Sequence, residues 1–324
     1  MTNRPALKAA VIGGGLMGVL MDTPENVPPL THAGGFLQHP DYDLKAICEP
    51  HPSPSLQNWP CKLYTALDDL LREEKLDIVS IAVPKEQQPS ILTQLLDSGL
   101  QAVIAEKPLA PTLAEACALR DLYQEAGIPL LVNLPRRYSL MYQDFAKKFR
   151  TGEEHALCAT LYYGKGLIHN GIHGIDLARL LFGEVIEARP LFARPDVFAE
   201  DPSISAFLRL EHCSQFHLNA LDDNRFTCFE LDIITDSGRY IVTNDHRTLQ
   251  TSAVCDHTGI PLGKRLISTG SRPTDYEQSI MFLLDNARDV IGGKAAPLCS
   301  AATICDSHAV IQQIRDKARG NYFV

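Results

Sequence analysis

A glycine-rich turn near the start of the chain has the residue types and spacing that bind a dinucleotide. The sequence Gly-Gly-Gly-Leu-Met-Gly follows an apolar, strand-like run, and its first, third and last glycines are Gly13, Gly15 and Gly18. In this G-x-G-x-x-G pattern they allow a tight turn, the close approach of a pyrophosphate and the packing of the next helix on the sheet. Leu16 and Met17 begin that helix, so their N–H groups would face the phosphates. The pattern alone is weakly specific.

Glu49 ends the second strand-like run and could read the adenosine ribose of the same cofactor. A carboxylate there accepts hydrogen bonds from both ribose hydroxyls and repels a 2′-phosphate. No Arg or Lys follows in Glu-Pro-His-Pro-Ser, so the sequence favours NAD over NADP. Pro84, after the next strand-like run, is a further predicted cofactor residue. The alternative, an exposed loop glutamate, stays open because the spacing from the turn is longer than usual.

The extra length lies in residues 19–31, between the glycine-rich turn and His32. Pro24, Pro28 and Pro29 cannot lie inside one regular helix. We therefore predict a loop inserted early in the first βαβ unit, close to the cofactor. Two interpretations remain open: the insertion shapes the substrate entrance, or it is a tolerated excursion.

Glu106, Lys107 and Pro108 follow one another at the carboxyl end of a predicted parallel strand, where open α/β sheets bind ligands. Pro108 restricts Lys107 to an extended backbone. Partial burial and the positive charge of an oxidised nicotinamide both lower the pKa of a nearby lysine, which makes it a useful acid or base. In isolation these three residues are more typical of a surface turn.

The elements that would position these residues alternate between short apolar runs and stretches of helical period, as in βαβ units with a parallel sheet. The runs are apolar almost throughout, as expected of strands covered on both faces. The predicted strands are Lys8–Gly13, Leu44–Cys48, Asp77–Val83, Ala102–Ala105 and Pro129–Val132, and the predicted helices are Ala66–Glu74, Gln88–Ser98 and Leu113–Ala126.

The pattern changes after about Leu134, which predicts two domains, residues 1–134 and residues 135–324. A helix with an apolar face is expected before Gly152, followed by a strand over Leu157–Tyr163 and a helix over Gly171–Phe182. From residue 188 to about residue 254, strands follow one another with polar turns, which favours an open, mainly antiparallel sheet. Two helices close the chain. The predicted fold class is α/β.

Composition narrows the class of protein. The net charge is −9, the pI is about 5.6, and no run of Lys and Arg stands out, so we expect neither nucleic acid nor membrane as partner. No apolar run approaches the roughly 18 residues of a membrane span, and the N-terminus lacks the features of a secretory signal. Nine cysteines without C-x-x-C spacing indicate reduced thiols and a cytoplasmic location. His212, His217, His246 and His257 have no metal-ligand spacing, so no metal is expected.

Four motifs occur in order and at suitable separations: the glycine-rich turn, Glu106-Lys107-Pro108, Arg136-Arg137-Tyr138 and Gly171-Ile172-His173-Gly174-Ile175-Asp176. Together they resemble the Gfo/Idh/MocA oxidoreductases over almost the whole chain. The combination is specific, although no single motif is.

The resemblance implies a Rossmann NAD-binding domain at residues 1–134 and an α/β domain at 135–324, whose open sheet carries the substrate pocket and often an oligomer contact. It also implies a homodimer or homotetramer. Lys107 and His173 would flank the reacting carbon, and Glu106 and Lys107 would contact the cofactor. The lysine–proline peptide is often cis in this family, so the Lys107–Pro108 peptide is expected to be cis.

The chain departs from the family at His169, where many members have an aspartate. The stretch from Tyr162 to Gly171, with the earlier Thr31-His32-Ala33, resembles instead a subgroup associated with bacterial surface-polysaccharide and unusual-sugar pathways. We therefore assign His169 a catalytic or substrate-binding role, without assuming that it replaces the aspartate as base.

Each candidate in this region has an alternative. His173 is either catalytic or a core histidine paired with Asp176. His169 either shares a proton with His173, bonds substrate hydroxyls or only lines the pocket. Asn170 is either a substrate ligand or the helix N-cap. Lys165 either meets a phosphate or carboxylate of the substrate or is solvated.

Arg137 and Tyr163 complete the predicted substrate set. Of the neighbouring pair Arg136 and Arg137, we expect only one to face a ligand and assign Arg137; the other would hold the start of the second domain.

These residues predict reversible oxidation of a secondary alcohol on a sugar, polyol or nucleotide-linked sugar, with the hydride passing to or from nicotinamide. Lys107 or His173 would exchange the hydroxyl proton. Two alternatives stay open: a redox-neutral NAD-dependent epimerase or lyase, and a catalytically weak protein that senses NAD or a sugar.

Overall fold

The computed structural model describes residues 5–256 and 263–319. Its contacts divide the chain into two units. The first comprises Met1–Tyr138 and Glu277–Cys305, and the second comprises Ser139–Tyr276 and Asp306–Val324. The sequence predicts one boundary, after residue 134, whereas in the structure residues 277–305 also belong to the first unit.

The first unit is built on a parallel sheet, which in the described residues has the strand order β3-β2-β1-β4-β5-β6. The predicted Rossmann architecture is thereby confirmed. The order reverses at β1, between β2 and β4, which is where such sheets bind dinucleotides. The strands are β1 Leu7–Ile12, β2 Tyr42–Cys48, β3 Lys62–Tyr64, β4 Ile78–Ile81, β5 Ala102–Glu106 and β6 Leu130–Asn133. The helices are α1 His32–Gln38, α2 Leu67–Glu73, α3 Gln88–Gln94, α4 Leu113–Ala126, α5 Pro135–Tyr138 and, late in the chain, α8 Ser279–Ile291.

The strands form where the sequence is continuously apolar. Every residue of β4, β5 and β6 is buried, because helices cover both faces of a parallel sheet. The predicted helix Leu113–Ala126 is confirmed to the residue as α4. Thr112 and Glu115 form a capping box at its start, and Gly127 ends it with a φ of 67°.

The second unit is built on a mixed sheet, with the strand order β14-β13-β12-β11-β7-β10-β9-β8 in the part of the chain that the structure describes. Only β7 and β10 pair in parallel among these neighbours; the remaining pairs are antiparallel, which confirms the prediction of a mainly antiparallel sheet. The strands are β7 Ala156–Tyr163, β8 Val185–Arg194, β9 Ser203–Leu210, β10 Cys213–Ala220, β11 Glu230–Thr235, β12 Gly238–Thr243, β13 Thr248–Asp256 and β14 Lys264–Pro273. The helices are α6 Leu140–Thr151, α7 Ile172–Phe182 and α9 Ala301–Ala318, of which α9 begins in the first unit.

Helices α6 and α7 cover one face of this second sheet. The apolar face of α6 buries Phe145 and Phe149, and the Phe149 ring lies 5.1 Å from that of Phe182 on α7. Gly152 ends α6 with a φ of 75°, as its position in the sequence predicts. Because β7 and β10 are parallel, their carboxyl ends meet at one edge of the sheet.

Within the described ranges, no helix combines the length and hydropathy needed to cross a membrane. Over the same residues, no three His, Cys, Asp or Glu side chains are placed to share a metal ion. His257 lies outside the described residues.

Candidate active site

The three motif glycines have different surroundings. Gly13 has a φ of 105°, and a Cβ there would lie 2.4 Å from the carbonyl oxygen of Ala82. A Cβ on Gly18 would lie 2.0 Å from the carbonyl oxygen of Gly13. Gly15 has nothing within 4 Å of that position. Gly13 and Gly18 therefore build the turn, whereas Gly15 leaves its outer side open, as a site for a pyrophosphate requires.

The helix that begins at Leu16 is short. Leu16–Leu20 is a five-residue π-helical turn, and the regular helix α1 starts only at His32. Leu16 is 67% exposed and Met17 is partly exposed. The segment between the π-helical turn and α1 is irregular, as its prolines predict, so the regular helix does not follow the turn directly. Its dipole therefore adds less than expected, and the first-turn N–H groups are what remain for a phosphate.

Glu49 lies against the glycine-rich turn. Its Oε2 accepts a hydrogen bond from the Gly14 N–H at 2.8 Å, and its Oε1 accepts one from the His51 N–H at 3.1 Å. A carboxylate has about four acceptor positions, so two stay available for ribose hydroxyls. The turn and the end of β2 are thus tied together at the edge where the adenosine would bind, and these residues fit NAD.

Two neighbours complete this edge. Pro84 is exposed after β4, and its carbonyl oxygen accepts the N–H groups of Gln87 and Gln88 at the start of α3. Burial, with a smaller contribution from the charge of Glu49, raises the pKa of the Cys48 thiol to about 11. That thiol therefore stays protonated and is no nucleophile near neutral pH.

Glu106 is the last residue of β5, and its carboxylate is occupied by groups of the protein. Oε1 accepts a hydrogen bond from Asn133 Nδ2 at 2.8 Å and lies 3.1 Å from His32 Nε2. Oε2 accepts the N–H of Lys107 at 3.3 Å. We predicted a cofactor contact for Glu106, which stays a prediction; these bonds show that Glu106 also holds the end of β5.

Lys107 follows directly and is partly exposed. The expected cis peptide between Lys107 and Pro108 is confirmed. The Pro108 carbonyl oxygen accepts a hydrogen bond from Gln88 Nε2 at 2.8 Å, and Gln88 is fully buried. Lys107 is therefore fixed on both sides, with its side chain at the carboxyl edge of the parallel sheet.

In the second unit, a π-helical turn, Leu167–Gly171, runs without a break into α7. Asn170 lies inside this turn and donates from Nδ2 to the carbonyl oxygen of Gly164 at 3.0 Å. The alternative that Asn170 is the helix N-cap is therefore wrong. The N-terminal N–H groups are met by Asp201, whose Oδ1 and Oδ2 accept from Ile168 at 2.9 Å and from His169 at 2.8 Å.

His169 and His173 are four residues apart in this continuous helix and so lie on one side of it. The His169 ring lies 4.8 Å from the Phe198 ring, and the His173 ring stands edge-on to Phe229 at 6.3 Å. Both histidines are partly exposed. The structure thus brings together the two histidines that the sequence singled out.

Lys165 lies in a turn held by aspartates. Its φ is 68°, which is uncommon outside glycine, and its N–H donates to Asp196 Oδ2 at 2.7 Å. Asp196 also accepts from Ser203 Oγ and from the N–H groups of Val197 and Asp223. Burial by itself raises the pKa of Asp196, but the hydrogen bonds from Ser203 and these N–H groups outweigh it and hold the pKa below its usual value.

Tyr163 has a structural role. It is fully buried at the end of β7, where its hydroxyl donates to the Ile204 carbonyl oxygen at 2.9 Å and accepts from the Ile204 N–H at 2.8 Å. Burial raises its pKa far above the usual value. We therefore remove Tyr163 from the candidate substrate residues. Arg137, on α5, is partly exposed, whereas Arg136 is buried.

Three pairings in these networks were not predicted from the sequence. Asp201 binds the helix start from 32 residues away, and Asn133 and His32 bind Glu106 from 27 and 74 residues away. Such pairings depend on the tertiary fold, and no local pattern marks them. Asp176, which we considered as a partner of His173, accepts a hydrogen bond from Ser307 Oγ at 3.0 Å.

Comparisons with known proteins point to one family. Residues 7–134 match the Gfo/Idh/MocA model, which is described as an oxidoreductase family with an NAD-binding Rossmann fold. D-apiose dehydrogenase of Paraburkholderia graminis is 29% identical over 146 residues, which cover 38% of this chain and 38% of that protein. Inositol 2-dehydrogenase of Corynebacterium glutamicum is 27% identical over 150 residues, 46% of this chain and 42% of that protein. The chain thus spans less than half the length of these curated relatives.

Likeness to solved structures covers nearly the whole chain. UDP-N-acetylglucosamine 3-dehydrogenase of Acidithiobacillus ferrooxidans superposes with a TM-score of 0.73 at 18% identity, over 97% of this chain and 98% of that one. At this identity the likeness establishes the fold of both units and no more.

Proposed function

The first unit of this chain belongs to the Gfo/Idh/MocA family of NAD-binding oxidoreductases, and on that premise we propose that the protein is an NAD-dependent dehydrogenase. The observation that carries the proposal is the edge of the parallel sheet. There the open Gly15 and the carboxylate of Glu49 flank one glycine-rich turn, and Lys107 directly follows β5, the strand two places along the sheet from β1. The cofactor residues would be Gly13, Gly15, Gly18, Leu16, Met17, Glu49 and Pro84.

We propose NAD rather than NADP as the cofactor. Glu49 places a negative charge beside the turn, and the next residues offer no Arg or Lys to a 2′-phosphate. When bound, the nicotinamide accepts or returns the hydride. The chain's own residues exchange the proton: Lys107 or His173 takes it from the substrate hydroxyl in oxidation and returns it in reduction.

The proposed substrate is a sugar, a polyol or a nucleotide-linked sugar. Two relatives are named for dehydrogenation of D-apiose and inositol, and a protein of the same fold is named for UDP-N-acetylglucosamine. Each buried substrate hydroxyl needs a hydrogen-bond partner. His169 and Lys165 supply such groups, Asn170 keeps its side-chain carbonyl oxygen available, and Arg137 is a further candidate.

We also propose that the protein forms a homodimer or homotetramer through the open face of the second sheet. Along each strand, side chains on this face alternate with buried side chains on the opposite face. The open face carries partly exposed apolar side chains at Tyr162, Phe192, Phe207, Ile234 and Ile241. Sedimentation of the purified protein tests this proposal, because a monomer at all concentrations would refute it.

Cofactor binding and turnover test the proposed function. Purified protein is titrated with NAD and NADP, and NADH absorbance is then followed across a panel of free and nucleotide-linked sugars. The proposal expects saturable NAD binding and turnover of at least one sugar. Retained NAD with substrate interconversion but no net NADH would indicate a redox-neutral enzyme, NAD binding without any conversion would favour a sensor, and absence of dinucleotide binding would refute the proposal.

A further inference from the structure

The insertion 19–31 is closed by one buried carboxylate. Asp22 is 8% exposed, and its Oδ2 accepts hydrogen bonds from the Leu30 N–H at 2.8 Å and from both the N–H and the hydroxyl of Thr31 at 2.7 Å. Oδ1 accepts from Asn26 Nδ2 at 3.3 Å. Among the described residues, no Lys, Arg or His forms an ion pair with Asp22, so neutral donors alone hold this charge.

The same carboxylate fixes the insertion to the start of α1. Thr31 is the N-cap of α1, and its hydroxyl oxygen accepts the Gly34 N–H at 3.1 Å. A Cβ on Gly34 would lie 2.5 Å from Asp22 Oδ2, so the close approach requires glycine there. The insertion is therefore an ordered loop whose far end sets the position of the first residue of α1, His32.

His32 is a fully buried histidine with one polar contact. Its Nε2 lies 3.1 Å from Glu106 Oε1, whereas its Nδ1 is buried and has no hydrogen-bond partner within the described part of the chain. An unsatisfied buried polar atom costs about 1–3 kcal/mol. An apolar side chain of similar size would avoid this cost, so stability alone does not account for a histidine at this position.

Glu106 receives donors from three parts of the first unit. His32 on α1 and Asn133 on β6 share Oε1, and the N–H of Lys107 reaches Oε2. The orientation of this one carboxylate thus contributes to where the backbone of Lys107 leaves β5, together with strand pairing and the bond from Gln88 to the Pro108 carbonyl oxygen. Loss of the His32 contact would leave Asn133 as the remaining donor to Oε1, so we expect the carboxylate to be held less firmly and the Lys107 N–H to open more often.

We propose that Asp22 and His32 are positioning residues. Asp22 closes the insertion and binds Thr31, which caps α1 and thereby fixes the position of His32. His32 in turn binds the Glu106 carboxylate, which keeps Lys107 in its correct position. The insertion then contributes to the position of Lys107. The catalytic consequence rests on the proposed function; the structural coupling does not.

Three histidine variants test the proposal. His32→Leu removes the donor to Glu106, and His32→Gln keeps an N–H at the end of the side chain. His39→Leu is the matched control, since His39 is also buried, directly after α1, and lies 3.3 Å from a carboxylate, Asp285, but does not contact Glu106. The first readout is amide hydrogen exchange of the peptide containing Lys107, measured without cofactor or substrate.

We expect His32→Leu to raise exchange at Lys107 about tenfold, with His32→Gln restoring it and His39→Leu leaving it unchanged. In turnover assays, His32→Leu should lower kcat about 10- to 100-fold, because small displacements of a reacting group have effects of this size, while the KM for the sugar and the Kd for NAD change less than about twofold. Should His32→Leu not fold, Asp22→Asn replaces it, with the exposed Glu25→Gln of the same insertion as control.

Equal exchange at Lys107 in His32→Leu and His39→Leu would overturn the proposal, as would a loss of kcat that His32→Gln fails to rescue. A wild-type protein that turns over no sugar would refute the proposed function instead. The exchange measurement would then still decide whether the insertion positions Lys107.

Discussion

Replacing Glu49 with glutamine is expected to weaken NAD binding and to reduce the preference for NAD over NADP. Glutamine keeps a side-chain oxygen that can accept the Gly14 N–H, whose bond to Glu49 is 2.8 Å long, so the turn should stay in place. The variant loses the negative charge and one of the two carboxylate oxygens that would accept ribose hydroxyls.

The expected size follows from two effects. A hydrogen bond to a charged group contributes about 1.5–3 kcal/mol, which corresponds to a rise of about 10- to 150-fold in the Kd for NAD. For NADP the lost bonds are offset, because unit charges about 5 Å apart repel by about 3 kcal/mol at an effective dielectric constant of about 20. The Kd for NADP should therefore stay the same or fall.

Isothermal titration of both dinucleotides measures these constants, with Glu125→Gln as a control at an exposed glutamate on α4. Thermal denaturation verifies that Glu49→Gln is folded. An unchanged Kd for NAD in a folded Glu49→Gln protein would refute the assignment of Glu49 to the ribose and leave it as a loop glutamate that only supports the turn.

Three further changes test the structural assignments. Gly18→Ala should lower the melting temperature and abolish NAD binding, because its Cβ would lie 2.0 Å from the Gly13 carbonyl oxygen; an unaltered Kd for NAD would contradict this packing. Tyr163→Phe should destabilise the fold by about 1–3 kcal/mol in denaturant unfolding, since it strands the Ile204 N–H and carbonyl groups, and should leave KM unchanged; a raised KM would return Tyr163 to the substrate set. Asp196→Asn should be less stable than wild type at neutral pH, and the difference should vanish as pH falls through the lowered pKa of Asp196; a difference that persists in acid would show that charge is not the cause.

The part of the site predicted from the sequence is the part encoded locally. Gly13, Gly15 and Gly18 lie within six residues, so their spacing alone specifies the turn, and Lys107 is marked by the strand before it and the proline after it. Continuous apolar runs likewise indicated the parallel strands, because a strand buried on both faces is apolar throughout and shows no alternation of polar and apolar residues.

The remaining features depend on contacts that the sequence does not mark. Residues 277–305 return to the first unit, where Ser300 pairs with Leu131, although the chain between them builds the second sheet. Asp201 accepts an N–H group at the start of the helix that carries His169, so Asp201 and not Asn170 caps that helix. The prolines of the insertion indicated only that it is not one helix; its ordered conformation depends on hydrogen bonds to Asp22.

The most direct test of the central claim is the rate of NADH formation in a single turnover by Lys107→Met, with saturating NAD and the best sugar of the panel. Lys147→Met, at an exposed lysine on α6, is the control. The account predicts that Lys107→Met binds NAD as tightly as the control but forms NADH at least about 100-fold more slowly, which is the scale of a lost acid–base group. Equal rates in the two variants would contradict the assignment of Lys107 to the reaction.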